Sequence, residues 1–579
     1  MPNSSASAAL QTIARILTLQ EENPFKIRAY ERVAQSLESH PEEIEAIYKR
    51  GGVEALREVQ GVGQDIALKL EEFVTTGKIA YLEQKRKEVP AGLFDVMEIS
   101  GMGPKKTAFL WKEFGITGID DVEKLLAKGK LDGLPKWGEK SIENLKRGIE
   151  VRKSYSGRFR RDVALAEAER ILKVLRAVKG CERAEYAGSL RRGRETVGDI
   201  DILAYGKDPE ALINAFLAVD GIVDQLAKGD TRAAVRFASG LQCDLRVVPA
   251  ESFGAALQYF TGSKEHNVRL RQMGIEQGLT INEYGVHKGS VEKKGKLMAS
   301  KTEEDIYAAV GLPWIPPTLR EDRGEFDAAM NGKLPNLLEL ADLKGDLHMH
   351  SDWSDGAATM VEMAQAAKDA GLEYIAITDH ASPMGMVRGT KDGNIDEFLA
   401  KVEDARKKVP GIRILAGAEV DILPDGSLYL RDTTLKKLDW VNASIHAHFN
   451  LDKAAQTKRY LAAIRNGHVH CIAHPMTRKV AERDPIDVDW DAVFDAAAES
   501  GVAIEMNASV SRLDLNDALA RRAKEKGVIL TMGSDAHAVA ELDRSHGVLQ
   551  AQRAWLTKED ILTCLPLAKI DAWRRKKSK

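Results

Sequence analysis

Three aspartates in two apolar segments have the spacing of a divalent-cation site. Asp199 and Asp201 lie two residues apart in GDIDILAY, and Asp244 lies in QCDLRVV, which also has the composition of a strand. Residues i and i+2 of a strand point to the same side, so the first two carboxylates face together. Such charges repel unless a cation lies between them, and Mg²⁺ suits oxygen ligands while leaving room for substrate phosphates. Exposed strands often carry two acids, so this interpretation depends on the neighbouring residues.

An arginine-rich turn precedes the first two aspartates. The segment GSLRRGRE begins with Gly188 and Ser189 after a predicted strand and contains Arg191, Arg192 and Arg194. Helix-start N–H groups and guanidinium groups both bind phosphate. The pattern predicts a triphosphate-binding turn in which the arginines contact the phosphates directly and the aspartates reach the same phosphates through cations.

Histidine is concentrated in the second half of the chain. Ten of the 13 histidines lie between His348 and His546. Several apolar runs there end in residues that can bind metal: GDLHMHS, YIAITDH, ILAGAEVD, VNASIHAH, HCIAHP, VAIEMNAS and VILTMGSDAH. An isolated H-x-H is more often a surface pair, but alternating strands and helices predict a parallel sheet, closed as a barrel. The strand ends of a barrel meet on one face, so these side chains would converge there.

The composition limits the classes of protein that the chain can belong to. Its 579 residues suggest three or four domains, and it contains no apolar run of 18 residues and no charged segment before an apolar one at the N-terminus. The four cysteines have neither metal-like nor disulfide-like spacing. We therefore expect a cytoplasmic protein. The net charge of −3 argues weakly against nucleic-acid binding, although local basic clusters remain.

Three glycine turns mark the first 150 residues. VQGVGQDIALKL, ISGMGPKKTAFL and LPKWGEKSIENL each place glycine in a turn that opens a helix. One copy would fit an ordinary helix connection, but three resemble helix-hairpin-helix motifs, which bind the DNA backbone without reading sequence. The expected DNA-binding residues are Gly61, Gly63, Gly101, Gly103 and Gly138.

Residues 1 to about 318 resemble the DNA polymerase X family, to which DNA polymerase beta belongs. The resemblance is carried by GSLRRGRETVGDID and by YFTGSKEHNVRLRQMGIEQGLTINEYGV. It implies that Asp199 and Asp201 bind two Mg²⁺ ions and that Asp244 completes the site that activates a primer 3′-hydroxyl. The other implied contacts are to the β- and γ-phosphates (Arg158, Ser189, Arg192, Gly198), the sugar (Tyr259, Phe260, Gly262), the base edge (Asn267) and the template (Arg271). Gln242 departs from the family pattern, which has arginine there, and leaves the basicity of Asp244 in question.

The N-terminal segment resembles the family's 5′-deoxyribose phosphate lyase domain. Lys69 matches the Schiff-base nucleophile, and Lys26 and Tyr30 match supporting residues. Asp65 stands where polymerase beta has lysine. An acid there would weaken 5′-phosphate binding and favour the protonated, non-nucleophilic lysine. Weak or absent lyase activity and plain DNA binding are both open.

Residues 345 to 575 resemble the PHP (polymerase and histidinol phosphatase) family. The resemblance implies metal binding by His348, His350, Asp355, His380, Glu419, His446, His474, Asp535 and His537. This mixed set suits three Mn²⁺ or Zn²⁺ ions, with water activated by the ions attacking a phosphodiester. For Asp379, His448, His468 and His470 we expect supporting or surface roles.

Together the motifs predict a multidomain chain: an α-helical helix-hairpin-helix region, an α/β nucleotidyltransferase palm with a small α+β thumb, and a (β/α)7-like PHP barrel. The expected segments are lyase-like (1–80), helix-hairpin-helix (81–155), palm (156–250), nucleotide-binding (251–318), linker (319–344) and PHP nuclease (345–579).

The expected activity is template-directed, gap-filling DNA repair synthesis with a 3′–5′ exonuclease. The expected partners are gapped or primer–template DNA and dNTPs, with no membrane, for a monomer in the bacterial cytoplasm, associated with the nucleoid. Three alternatives remain: a PHP phosphatase, an AP endonuclease activity at the same metals, and a non-catalytic repair scaffold.

Overall fold

The computed structural model describes residues 3–38, 43–59, 61–97, 99, 102–134, 137–138, 141–143, 145–146, 148–149, 157–289, 294–383 and 389–577. The chain forms two compact units. The first comprises Met1–Ser156 with Glu482–Asp484, and the second comprises Gly157–Ala481 with Pro485–Lys579. None of the helices within the described ranges is both long enough and apolar enough to cross a membrane.

The first unit is helical, as predicted. Its helices are α1 (Asn3–Leu19), α2 (Pro24–Glu38), α3 (Ile44–Leu56), α4 (Gln64–Thr76), α5 (Ala80–Lys87), α6 (Gly92–Met97), α7 (Gly103–Phe114) and α8 (Ile119–Ala127). Their apolar faces share one core, in which Leu10, Tyr30 and Leu70 are fully buried or nearly so.

Two of the predicted glycine turns open helices of this unit. Gly61 has a φ of +86° and Gly63 caps α4, while Gly103 has a φ of +62° at the start of α7. Positive φ is inexpensive only for glycine, which explains its use in these turns. Gly138 is described, but Gly101 and much of the third turn lie outside the described residues.

The second unit begins with the predicted palm. Its strands are β1 (Phe159–Arg160), β2 (Cys181–Tyr186), β3 (Thr196–Val197), β4 (Asp199–Gly206), β5 (Ile222–Lys228), β6 (Arg232–Phe237) and β7 (Gln242–Val247). The five-stranded sheet has the order β2-β4-β7-β6-β5, and β1 pairs separately with β3. Strand β5 was not predicted, because four consecutive residues of its seven are exposed and do not alternate with buried ones. The palm helices are α9 (Arg161–Ala177), α10 (Gly188–Arg191) and α11 (Pro209–Leu217).

Alternation along β4 determines which face of the sheet carries the acids. Ile200 and Ile202 pack into the core beneath the long helix α9, in contact with residues such as Leu172. Successive strand residues point to opposite faces, so Asp199 and Asp201 are directed away from that core.

A small thumb follows the palm. It contains α12 (Phe253–Thr261), α13 (Lys264–Glu276), β8 (Leu279–Asn282), β9 (Gly285–Gly289), β10 (Lys294–Ala299), α14 (Glu303–Ala308) and α15 (Glu325–Met330). The segment GLTINEYGV forms parts of the antiparallel strands β8 and β9. The expected linker (319–344) is packed rather than free: Phe326 is buried in the thumb core, and Leu338 and Leu343 in the barrel core.

A barrel completes the second unit. Its strands are β11 (Gly345–Met349), β12 (Tyr374–Ile377), β13 (His380–Ala381), β14 (Arg413–Asp421), β15 (Trp440–Ser444), β16 (Cys471–Ile472), β17 (Ala503–Asn507) and β18 (Leu530–Gly533). Seven of them form the parallel order β11-β12-β14-β15-β16-β17-β18, with β13 on β14, and a bridge between Met349 and Ala536 joins the two ends. The predicted seven-stranded parallel barrel is confirmed.

Helices surround these strands. They are α16 (Met360–Asp369), α17 (Ile395–Lys408), α18 (Asp432–Leu435), α19 (Lys453–Ile464), α20 (Trp490–Ser500), α21 (Asp517–Glu525), α22 (Ser545–Arg553) and α23 (Leu567–Lys577). Short 3-10 turns occur at Ala250–Ser252, Pro317–Leu319, Leu340–Asp342, Val539–Glu541, Lys558–Asp560 and Leu562–Cys564.

The barrel interior is apolar at one end and polar at the other. At the amino ends of the strands, Leu415 and Trp440 form an apolar layer that Ile570 and Trp573 of the last helix pack against. Further along β14, the inward position is occupied by Glu419, which is fully buried. The inward-facing side chain of β14 therefore changes from apolar to ionisable towards the carboxyl end of the strand.

Candidate functional site

The three predicted palm acids converge because β4 and β7 are parallel neighbours. The register places Asp201 opposite Asp244 and Asp199 opposite Gln242. Burial, together with the charges of Asp199 and Asp244, raises the pKa of Asp201 to about 7. Burial and Asp244 also raise the pKa of Asp199. Asp199 and Asp201, whose pKa values are raised, form together with Asp244 a site that a divalent cation would satisfy.

Two neighbours hold the Asp244 carboxylate. Gln242, the residue that departs from the family pattern, donates from Nε2 to Oδ2 at 3.1 Å, and Arg232 donates from Nη2 to Oδ1 at 3.0 Å. Arg232 lies on β6, two residues from Ala234, which pairs with Asp244. The positive charge expected at position 242 is thus supplied by a neighbouring strand. Sequence reasoning missed Arg232 because it depends on the register of β6.

Gly188 opens the arginine-rich turn directly against Asp201. Its φ is +60°, and a Cβ at this position would lie 2.3 Å from Asp201 Oδ2. No other residue fits without displacing the carboxylate, which explains glycine at the start of α10.

The predicted phosphate-binding residues surround this turn. Arg192 donates from Nη1 to the Thr261 carbonyl at 2.5 Å and from Nε to Glu321 at 3.1 Å. Arg158 donates to the hydroxyl and carbonyl of Thr196 at 3.0 and 2.6 Å. Ser189 is half-buried on α10, and Gly198 lies between β3 and β4. Arg158 and Arg192 lie near enough to Asp199 and Asp201, respectively, for their charges to oppose the effect of burial, which raises the pKa of both acids.

The expected sugar-binding residues lie at the end of α12. Tyr259 and Phe260 form an edge-to-face ring pair with centroids 5.1 Å apart, and Gly262 follows with a φ of +69°. Arg246 lies over the Phe260 ring, 4.5 Å from its centroid.

Asn267 and Arg271, the expected base-edge and template contacts, both have hydrogen-bond partners within the protein. The Asn267 amide donates to the Tyr259 carbonyl at 2.6 Å and accepts from Gln258 at 2.8 Å, and only 8% of the residue is exposed. Arg271 donates to the Asn267 carbonyl at 3.2 Å. These contacts hold the Asn267 amide in one orientation beside α12.

The nine predicted barrel ligands also converge, with Glu419 at their centre. Glu419 Oε1 lies 2.7 Å from His474 Nε2 and 3.2 Å from His446 Nε2. Its Oε2 lies 2.9 Å from His380 Nδ1, with His348 and His350 at 3.6 and 3.7 Å. A single carboxylate thus faces five imidazoles.

Two aspartates complete the cluster. Asp535 Oδ1 lies 3.2 Å from His350 Nε2 and 3.5 Å from His348 Nε2. Asp355 lies 3.5 Å from His380 and 3.6 Å from His537. The nine residues form four overlapping groups, and within each group the ligand atoms all lie within 4.8 Å of one another.

The donor set fits bound cations. Several of its atoms lie close together without forming a hydrogen bond of acceptable geometry. Among the residues that the structure describes, this holds for both Glu419 oxygens and for the buried nitrogens His350 Nδ1, His446 Nε2 and His474 Nε2. Buried polar atoms are rarely left unpaired, because each costs its lost hydration. Mixed imidazole and carboxylate ligands suit Mn²⁺ or Zn²⁺. The cluster is therefore built for metal ions.

The carboxylates and imidazoles of the cluster shift one another's pKa: against the effect of burial, the carboxylates raise the pKa of His348, His380 and His446. Burial opposes ionisation of Glu419, but His446, His380 and His474 outweigh it and hold the pKa of Glu419 well below its ordinary value. Burial and the charge of Arg512 lower the pKa of His474 to about 4, so this imidazole is neutral at pH 7, as a metal ligand must be.

Sequence reasoning missed the residues that orient these ligands. Glu505 Oε1 lies 2.7 Å from His348 Nδ1, and Asp421 Oδ1 lies 2.7 Å from His446 Nδ1. Such partners fix the ring orientation of a metal-binding histidine. The signal was present, because Asp421 follows Glu419 by two residues and Glu505 lies inside VAIEMNAS.

The four remaining candidates have other surroundings. Asp379 accepts from Ser351 and Ser354, and burial raises its pKa to about 6. His470 stacks on Trp440 with ring centroids 5.0 Å apart. His448 is exposed and His468 half-buried.

A cavity of about 710 Å³ opens beside the barrel cluster. Five ligands line it: Asp355, His380, His446, Asp535 and His537. Arg512 also lines it and contacts Asp535 at 3.1 Å, while the palm contributes Arg160 and Asp162. The cavity is therefore shared between barrel and palm.

The predicted lyase residues lie together in the first unit. Lys69 Nζ contacts Asp65 Oδ1 at 2.5 Å, and the hydroxyl of Tyr30 donates to the other oxygen at 3.4 Å. Lys26 donates to the Tyr81 hydroxyl at 3.0 Å. Asp65, the residue that departs from the family pattern, pairs directly with the expected nucleophile.

Comparison with known proteins finds similarity in three parts of the chain. Three family models match: a helix-hairpin-helix domain over residues 1–79, the DNA polymerase beta thumb over residues 256–321, and the PHP domain over residues 346–509.

Relatives match over different lengths. The DNA polymerase/3'-5' exonuclease PolX of Bacillus subtilis is 35% identical over 570 residues, which is 98% of either chain. A probable phosphatase of Thermoanaerobacter sp. is 33% identical over 247 residues, 40% of this chain and 95% of its own. A probable phosphatase of Vibrio campbellii is 31% identical over 207 residues, 34% of this chain and 78% of its own.

Replacing Glu419 with glutamine should remove bound metal from the barrel. The amide has no negative charge and presents an NH₂ group that cannot bind a cation, so metal affinity should fall by more than the roughly 10–100-fold typical of losing a supporting residue. The check is the manganese and zinc content of purified protein by inductively coupled plasma mass spectrometry. Glu397→Gln, an exposed glutamate on α17, is the matched control and should retain the wild-type content. Equal metal content in the two variants would rule out Glu419 as a ligand.

Proposed function

Since the chain belongs to the bacterial PolX family, we propose that its palm adds deoxynucleotides to a primer and its barrel removes them from a 3′ end. The observation that carries this proposal is the presence of two complete and separate ligand clusters in one unit. One consists of the three palm acids and the other of the nine barrel ligands.

In the palm, each group of side chains has a distinct role. Asp199, Asp201 and Asp244 would hold two Mg²⁺ ions, which when bound supply the charge that stabilises displacement at the α-phosphate. The backbone at Gly188 and Ser189 and the guanidinium of Arg192 bind and orient the triphosphate. Tyr259 and Phe260 form the apolar wall for the sugar, and Arg158 adds positive charge near the phosphates.

In the barrel, the ligands and the cavity wall divide the work. The nine ligands would hold three Mn²⁺ or Zn²⁺ ions, which supply the Lewis acidity for hydrolysis of a phosphodiester. Arg512 contributes positive charge beside the cluster for binding a phosphate. Glu505 and Asp421 keep His348 and His446 oriented towards the cluster.

A phosphatase is the second candidate for the barrel, because proteins named probable phosphatases match this part of the chain. The cavity favours a nucleic-acid end instead, since Arg160 and Asp162 of the palm form part of its wall. Hydrolysis of a small phosphate ester by the barrel alone would not require residues of the palm. Comparing hydrolysis of single-stranded DNA with hydrolysis of a phosphate monoester distinguishes the two activities.

The substrates that follow are gapped or primer–template DNA and dNTPs. The helix-hairpin-helix turns of the first unit would bind the DNA backbone through Gly61, Gly63 and Gly103, with Gly101 and Gly138 as the further candidates. Such binding would place the protein with the nucleoid in the cytoplasm. Each ligand cluster is contributed by one chain, which is consistent with a monomer.

The two activities should be separable by mutation. Asp244→Ala should reduce dNTP incorporation on a one-nucleotide gap by more than about 100-fold, because a ligand is lost outright rather than merely misoriented. It should leave Mn²⁺-dependent 3′ trimming within about twofold. His348→Ala should do the reverse. Extension and degradation of an end-labelled primer measure both activities, and loss of both in either variant would contradict two independent sites.

The contact between Asp65 and Lys69 predicts weak lyase activity. The contact with Asp65 would have to break before the Lys69 amine could attack the sugar carbonyl and form a Schiff base. Borohydride trapping on DNA with a 5′-deoxyribose phosphate should therefore be weak in the wild type and increase several-fold in Asp65→Asn. The control Asp65→Asn/Lys69→Ala should trap no more than the wild type. Strong wild-type trapping that does not require Lys69 would refute this assignment.

A further inference from the structure

One helix of the barrel packs directly on the arginine-rich turn of the palm. This helix is α22 (Ser545–Arg553), and the turn comprises residues 188–195. The contact is close at Gly193, where a Cβ would lie 3.3 Å from Leu549 Cβ and 3.5 Å from Arg553 Cδ. The segment predicted to bind triphosphate therefore rests on the nuclease barrel.

Arg553 makes the central contact. Its Nη1 donates to the backbone carbonyl of Arg192 at 2.9 Å and to Glu321 at 2.7 Å, and its Nη2 donates to Asp517 at 2.9 Å. Only 2% of the residue is exposed. A buried guanidinium with three acceptors in fixed directions is a rigid support.

Glu321 is shared between the two domains. The oxygen that accepts from Arg553 also accepts from Arg192 Nε at 3.1 Å. Arg192 therefore has its side chain tied to Glu321 and its carbonyl tied to Arg553. Both bonds restrict where the Arg192 guanidinium lies relative to the palm acids.

A second contact anchors the far end of the turn. Glu195 accepts from Arg478 at 3.0 and 2.7 Å as a bidentate pair and from Gln550 of α22 at 3.2 Å. Arg478 belongs to the barrel, directly after the loop that carries His474. The turn is thus held at both ends by residues of the barrel.

We infer that Arg553 is a positioning residue for nucleotide addition: the barrel helix holds the palm's triphosphate-binding turn in its working geometry. This inference rests on the proposed polymerase function of the palm. It adds a role to the barrel that is independent of its own ligand cluster, because none of the contacts described involves a barrel metal ligand.

Loss of Arg553 would weaken triphosphate binding in two ways. The Arg192 carbonyl would lose its donor, so the turn would be less restricted. Glu321 would face Arg192 without a second cation, which would reduce the positive potential available to the phosphates. Both effects act on binding of the nucleotide more than on the chemical step.

The experiment is single-nucleotide gap filling by full-length Arg553→Ala, with KM for dNTP and kcat measured separately. We expect KM to rise about tenfold, within the range typical of coupling between sites, and kcat to change less than about threefold. The inhibition constant of pyrophosphate should rise in parallel, because pyrophosphate uses the same turn. Exonuclease activity on single-stranded DNA should remain within about twofold of wild type.

Arg406→Ala is the matched control. Arg406 is also a barrel arginine paired with an aspartate, Asp439 at 2.7 Å, but among the described residues it has no contact with the palm. It should leave both KM and the pyrophosphate constant unchanged. If Arg553→Ala fails to fold, Arg553→Lys retains the charge with fewer donors and should give an intermediate KM.

Failure of the inference and failure of the function are distinguishable. A wild-type protein that does not incorporate dNTPs would refute the proposed function. A folded Arg553 variant that incorporates dNTPs with wild-type KM and wild-type pyrophosphate inhibition would overturn the positioning role while leaving the polymerase assignment intact.

Discussion

Carboxylates and imidazoles that the fold holds close together are the constraint on which this molecule depends. Asp201 lies beside Asp199 and Asp244, whose negative charges oppose its ionisation. Glu419 faces five imidazoles, yet among the described residues neither of its oxygens has a hydrogen-bond partner. Desolvating ionised groups costs several kcal/mol each unless opposite charge compensates for it. Divalent cations provide that compensation, and the acids of a phosphate-transfer or phosphate-hydrolysis site require the same ions. The fold therefore keeps two clusters that are costly without cations.

Strand alternation satisfies this constraint in both domains. On β4 the apolar residues Ile200 and Ile202 pack on the palm core and leave the acids on the opposite face. In the barrel, Leu415 lies in the apolar layer and Glu419 points inward four residues later. The barrel domain also contacts the palm from outside its own ligand cluster, because α22 supports the turn that carries Arg192. The barrel thus contributes a ligand cluster of its own and a scaffold for its neighbour.

Much of the fold and both clusters could be predicted from the sequence, and the misses have physical causes. Some predictions depend only on neighbouring residues in the sequence. They include the pair Asp199 and Asp201 on one strand face, and ligands at the ends of strands, such as His348 and Asp535. Arg232 beside Asp244 and Arg553 beside Arg192 depend on register and domain packing, which local patterns do not encode. The expected linker has a polar composition, yet Phe326 and Leu338 anchor it in two cores. Glu505 could have been predicted, because it occupies an inward position of the predicted strand VAIEMNAS.

The most direct test of the two-cluster account is anomalous diffraction at the manganese edge from crystals of the full chain soaked in Mn²⁺ with a non-hydrolysable dNTP. The account predicts anomalous peaks between Asp199, Asp201 and Asp244, and a separate set of peaks around Glu419 in the barrel. Peaks absent from either cluster at saturating Mn²⁺, with the side chains in place, would contradict it.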